Sequence, residues 1–201
     1  VLGRFAEGWS VRASAGTGYF APTPFTEETE ATGLTPVIPP TGLEAETAQG
    51  TSLDLGGLIG PVEVNATLFA SSVESALRVE EVGDRLRLVN AGGRTRARGV
   101  DLIARVHRGA LHATATGTYV HATEAGDGDV GRRTVPLTPR WAAGVVAAWE
   151  REGQGRAGVE VYFTGRQALE DDTYRDRSRS YTIVGVLVEQ RVGGVRLFVN
   201  G

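Results

Sequence analysis

The side chains best equipped for chemistry here are three histidines and a scatter of carboxylates and arginines, because the 201 residues contain no cysteine. Thiolate nucleophiles, thiolate metal sites and disulfides are thereby excluded. His107 and His112 flank Gly109 and Ala110, and a two-residue turn there makes the two imidazoles direct cross-strand partners. Two imidazoles can share a metal, but neither a carboxylate nor a third histidine is evident near them. The pair therefore reads as water-facing, and no metal is assigned. Asp127 and Asp129 beside glycines hint at calcium, yet the spacing and terminal glutamate of an EF-hand loop are absent. Gly16, Thr17, Gly18 is too short to cradle a phosphate, and no hydrolase or metalloprotease signature is present. An enzyme is not expected and no cofactor is implied. Binding remains. The loop carrying Glu170, Asp171, Asp172, Arg175, Asp176, Arg177 and Arg179 either contacts a ligand or surface sugars or is simply solvated. Tyr19 and Phe20, at one strand end, either face a ligand or anchor at a membrane interface.

The elements that position these residues are strands. Period-two alternation recurs along the whole chain. Val62, Val64, Ala66, Leu68 and Ala70 alternate with Glu63, Asn65, Thr67, Phe69 and Ser71. Val100, Leu102, Ala104 and Val106 form one face of a second run, and Leu111, Ala113, Ala115, Gly117 and Tyr119 one face of a third. A turn at Gly109 and Ala110 pairs Val106 with Ala113, Leu102 with Gly117 and Asp101 with Thr118, so both faces stay sorted. A turn at Leu58 and Ile59 does the same for an earlier hairpin, setting Leu55 against Val62 and Leu53 against Val64. Further strands are expected over Gly8–Tyr19, Glu44–Gly56, Pro139–Arg151, Arg156–Arg166, Arg179–Val192 and Val195–Gly201. Thr138 and Pro139 also fit a helix start, but the neighbouring strands favour a strand. The total is about nine antiparallel strands. Short links near residues 57–60, 109, 153–155 and 193–194 alternate with longer polar or proline-rich ones at 20–43, 80–84, 124–138 and 168–178.

Composition is that of a folded chain, with 41% hydrophobic and 22% charged residues. The net charge of -3 gives no basic excess for nucleic acid. No stretch of about 18 apolar residues is present, which excludes a transmembrane helix but not a membrane-spanning barrel, whose strands alternate. No secretory signal is visible in Val1–Trp9, so the chain is either cytoplasmic or lacks its beginning. Trp141 and Trp149 lie eight residues apart on one face of a single strand, roughly 26 Å at ~3.3 Å per residue. That matches the apolar band between two aromatic girdles, which Tyr119 and Phe163 can join. The competing reading makes both tryptophans core residues of a soluble β-sandwich acting as a binding module. The opposite face, with Thr, Asn, Glu, Arg and His, has too few large apolar groups to build such a core.

At this point the residues resemble the TonB-dependent receptor family along nearly all of the chain, 1–201. Arg12 through Thr23 is similar to the strand that rises to the surface and ends in a Gly, aromatic, Ala, Pro signature. Leu43–Gly56, with Glu46 and the run Ser52, Leu53, Asp54, Leu55, resembles the descending strand that follows, and Gly60–Phe69 its hairpin partner. Asn90, the run Arg98 to Leu102, and Leu137, Thr138, Pro139 are also typical. The resemblance implies an all-β, antiparallel up-and-down transmembrane barrel of about 22 strands around a plug, with these strands near its C-terminal end. It places the plug, the TonB box, the first barrel strands and the closing strand outside this sequence. It further implies outer-membrane location and active uptake of a large scarce nutrient such as an iron–siderophore, cobalamin or a glycan. The implied partners are outer-membrane lipid, the nutrient and the TonB-ExbB-ExbD system, the complete barrel being monomeric. A passive porin-like barrel is the alternative within the membrane class. Expressed alone, this segment is expected to aggregate through its open sheet edges; a folded monomer in detergent-free buffer, seen by size-exclusion chromatography, would contradict that.

Overall fold

A computed structural model describes residues 2–23, 36–126, 131–151, 153–170 and 173–201, and contains no helix among them. Ten strands run in one antiparallel sheet in chain order: β1 (Leu2–Ala6), β2 (Trp9–Phe20), β3 (Glu46–Ile59), β4 (Val62–Glu74), β7 (Thr95–Arg108), β8 (Leu111–Ala125), β10 (Trp141–Arg151), β11 (Gly155–Thr164), β12 (Tyr181–Val192) and β13 (Val195–Asn200). A short β9 (Arg132–Thr134) continues the ladder above β10 on the edge of β8, and β5 (Leu77–Val82) pairs with β6 (Arg85–Asn90) as a separate hairpin. The nine expected strands are all present. Two of the expected links contain strand: β9 lies within 124–138, and the region around residues 80–84 is the tip of β5–β6; β1 is not among the expected strands. Alternation marks the β5–β6 hairpin too, with Leu86 and Leu88 alternating with Arg85 and Arg87, and only its charged tip reads as a link.

The hairpin at Gly109 and Ala110 has the expected register, from Arg96 opposite Thr123 to Arg108 opposite Leu111. The earlier hairpin turns elsewhere. Its ladder continues through Leu58 opposite Glu63 and Ile59 opposite Val62, so the turn is Gly60 and Pro61, and Leu55 faces Ala66 rather than Val62. Gly60 takes a φ of 58°, the left-handed start that a two-residue hairpin turn needs, and Pro61 follows with no N–H to leave unpaired. The four-residue slip keeps the parity of the strand. Both faces stay sorted, which is why alternation alone could not detect it. The doubtful segment after Thr138 is a strand, starting at Trp141.

Register puts the large aliphatic and aromatic residues on one face. Leu53 stands opposite Leu68, which stands opposite Val100, then Tyr119, then Trp141. Among the described residues no second layer covers them: Leu68 is 52% exposed, Leu102 54% and Trp141 59%. Among the described residues only Leu86, Leu88 and Ala122 are buried hydrophobics, and the first two belong to the β5–β6 hairpin. A soluble sandwich is thereby excluded, because its core would lie on this face. The opposite face is polar. Thr67 donates to Asp54 (2.7 Å) and Thr118 to Asp101 (2.7 Å) across neighbouring strands. Aromatic rings interrupt this polar face at two glycines: Tyr162 lies against Gly144, and the Phe69 ring lies over Gly99, where a Cβ would meet the Tyr119 carbonyl oxygen and come within 2.6 Å of Phe69 Cζ. Gly117, on the apolar face, has open space at the same point. In the complete protein, Gly99→Ala is expected to cost about 1–3 kcal/mol by crowding the Tyr119 carbonyl and Phe69, while Gly117→Ala stays within about 0.5 kcal/mol. Urea unfolding of the detergent-solubilised barrel measures both, and equal effects would refute the contact.

Candidate functional site

The described parts of the long links gather at one rim of the sheet, held there by backbone hydrogen bonds, side-chain hydrogen bonds and ion pairs. Segment 36–44 joins the β5–β6 hairpin through Ile38 N–H to the Leu86 carbonyl (2.7 Å) and Leu86 N–H to the Pro36 carbonyl (2.9 Å). Asn90, at the end of β6, closes this unit. Its amide group donates to the carbonyls of Glu44 (3.0 Å) and Ser75 (2.7 Å), and its oxygen accepts from Glu44 N–H (2.8 Å). One asparagine side chain thus fastens three pieces of chain whose backbone groups the ladder leaves unpaired.

A second clamp centres on Glu124, near the end of β8, whose side chain is only 13% exposed. It pairs with Arg78 of the hairpin (3.3 Å) and Arg133 of β9 (2.8 Å), and Arg133 reaches on to Glu170 in the 165–180 loop (2.7 Å). Burial pulls the Arg133 guanidinium down, but the hydrogen bonds and charges of Glu170 and Glu124 outweigh it and raise its pKa above the ordinary value. The Arg133 guanidinium therefore stays charged at any physiological pH. The network ties the hairpin, β9 and the last long loop into one platform on the polar side of the sheet.

The residues singled out from sequence fall around this platform unevenly. Tyr19 pairs with Thr47 and Phe20 with Glu46, so the two rings project from opposite faces: Tyr19 with the apolar residues, 81% exposed, and Phe20 with the polar ones. Arg175 is exposed on the last loop. Asp171 and Asp172 lie outside the described residues, as do Asp127 and Asp129. Trp141 and Tyr119 pair on the apolar face with ring centroids 4.6 Å apart; Phe163 lies beside them on the next strand, opposite Ala143, and Trp149 projects from the same face eight residues below Trp141. His107 and His112 meet at the opposite, short-turn rim, Nδ1 to Nδ1 at 2.7 Å. Among the described residues no third metal-ligating group joins them. Sequence reading missed Arg78, Glu124 and Arg133, since charges 9 to 46 residues apart carry no local signal of pairing.

An open-ended up-and-down sheet with one lipophilic face, one wet face, tight turns at one rim and a loop platform at the other is a segment of a bacterial outer-membrane β-barrel. The chain belongs to the TonB dependent receptor-like β-barrel family, whose model matches residues 2–201; this is a family of outer-membrane transport receptors, not enzymes. Among solved structures it is similar to the FrpB iron transporter from Neisseria meningitidis, F3-3 variant (TM-score 0.74, 17% identity, 99% of this chain and 33% of that one). It is also similar to the ferric-catecholate import receptor Fiu from E. coli K12 (0.71, 15%, 99% and 29%) and the ferric yersiniabactin uptake receptor FyuA from Yersinia pestis (0.68, 19%, 94% and 28%). The chain spans about a third of the length of these structures. No curated protein matches it in sequence. In the full-length receptor, Arg133→Gln is expected to loosen the platform by about 1 kcal/mol and to make cleavage within 165–180 about fivefold faster. Limited proteolysis reads this, and an unchanged digestion rate would refute the clamp.

Proposed function

We propose that this chain is the later part of the barrel of a TonB-dependent receptor that takes up a large scarce nutrient, with a ferric chelate as the favoured cargo. The two-faced sheet carries this reading: its uncovered apolar face suits acyl chains, and its polar face suits a water-filled or plugged lumen. Trp141, Tyr119 and Phe163 would form the upper aromatic belt and Trp149 part of the lower one. Phe20, Arg175 and the acidic loop residues Asp171 and Asp172 would help present cargo at the rim, with Tyr19 facing outward beside lipid. The clamped platform supports recognition, because loops held at fixed spacing place contacts at a lower entropy cost than free ones. Solved structures of similar fold named for iron and siderophore uptake favour iron over cobalamin or a glycan. Release of cargo would need energy delivered by TonB-ExbB-ExbD through a plug.

The deciding experiment deletes the complete gene in its host and follows uptake of radiolabelled ferric siderophores, cobalamin and oligosaccharides with and without TonB. Iron uptake lost in the deletion, and equally lost without TonB, is the expected result. Uptake that persists without TonB points to the passive porin-like alternative. TonB-dependent loss of cobalamin or glycan uptake alone would keep the receptor and change its cargo.

A further inference from the structure

The apolar face ends abruptly, and on the same rung of four strands. Toward the loop rim, Leu53 of β3 is followed on that face by Thr51, Leu68 of β4 by Ala70, Val100 of β7 by Arg98, and Tyr119 of β8 by His121. These four successors are themselves aligned: Thr51 opposite Ala70, Ala70 opposite Arg98, Arg98 opposite His121. The next rung outward is Gln49, Ser72, Arg96 and Thr123. Arginine thus appears twice in immediate succession where the hydrocarbon-facing residues stop, on the outside of the barrel rather than in its lumen.

Two more guanidiniums converge there. Arg132 is fixed over the rung by three bonds, to the Thr123 hydroxyl (3.0 Å), the Thr123 carbonyl (2.7 Å) and the Arg94 carbonyl (3.0 Å). Arg94 pairs with Glu74, the one carboxylate on this stretch of the face among the described residues. Arg96 and Arg98 are exposed and form no ion pair among the described residues. With small side chains at Ala15, Thr51 and Ala70 as its floor, the cluster encloses an open cavity of about 910 Å³.

From this placement we infer that the cavity is a docking site for a phosphate-bearing lipid headgroup of the outer leaflet. The inference rests on the membrane orientation proposed above. Among the described residues, four arginines against a single glutamate, at the boundary where acyl chains give way to headgroups, leave an excess of cationic donors. Guanidinium groups meet phosphate oxygens in bidentate fashion. A ligand from the loop side would have to reach around the barrel wall, whereas a lipid whose tails lie along Leu53, Leu68 and Val100 arrives with its phosphate at Arg98 and Arg96. Binding would order lipid along this flank and brace β7 and β8, the strands that lead into the Glu124 clamp.

The test uses the complete receptor in detergent micelles doped with diphosphoryl lipid A, with its fully dephosphorylated form, or with inorganic phosphate alone, read by native mass spectrometry. The wild type should retain the diphosphoryl form, and the Arg96→Gln, Arg98→Gln double variant should hold it about 30-fold more weakly. The dephosphorylated form should bind both proteins at the variant's level, and inorganic phosphate should not compete at equal concentration. Equal lipid retention by both proteins, each showing normal heat-modifiable gel migration, would overturn the site while leaving the barrel intact. Full competition by inorganic phosphate would overturn the lipid as its occupant. A wild type that is soluble without detergent would overturn the membrane orientation, and the site with it.

Discussion

Backbone hydrogen bonding in a medium without water governs this structure. In the acyl layer an unpaired N–H or C=O costs several kcal/mol, so the chain can cross only if each strand is bonded to neighbours on both sides. Every strand of the ladder between β2 and β12 meets that demand, and β1 and β13 each keep one open edge. The ladder needs no hydrophobic core to do so, and scarcely has one. The apolar side chains that would fill the interior of a soluble protein of this length face outward, because lipid accepts them and the lumen does not.

This inversion explains which residues the fold can spare. On the apolar face, small and large side chains alternate freely, with Gly117 between Leu102 and Ala143, since lipid fills whatever gap they leave. On the polar face, packing matters only in patches such as Phe69 over Gly99, and threonine–aspartate bonds replace apolar contact. Turn chemistry at the tight rim completes the scheme. Gly60 and Gly109 supply the left-handed conformation that lets successive strands reverse within two residues.

The loop rim obeys a different rule. Outside the acyl layer water returns, and irregular backbone is tolerated, but a receptor gains from holding its loops in place. Asn90 and the pair Glu124 and Arg133 do this with a few multidentate side chains. On the apolar face the residue type changes too, from Val100 to Arg98, one rung above the Tyr119 and Trp141 rings.

Alternation by itself determined the strands, their antiparallel order and the sorting of residues into two faces, because a pleated backbone sends successive side chains to opposite sides whatever the surroundings. The register of β7 on β8 was equally legible, since one glycine turn fixes it. The turn at Gly60 and Pro61 was not: a slip of four residues preserves parity, and only the full ladder separates the two alignments. Tertiary structure alone decided that β2 runs on to Phe20, that β5 and β6 pair as a hairpin of their own, and that Arg78, Glu124, Arg133 and Glu170 meet. Those encounters join segments far apart in the chain, and their energy depends on the distance between charges in space, which no local pattern of residues encodes.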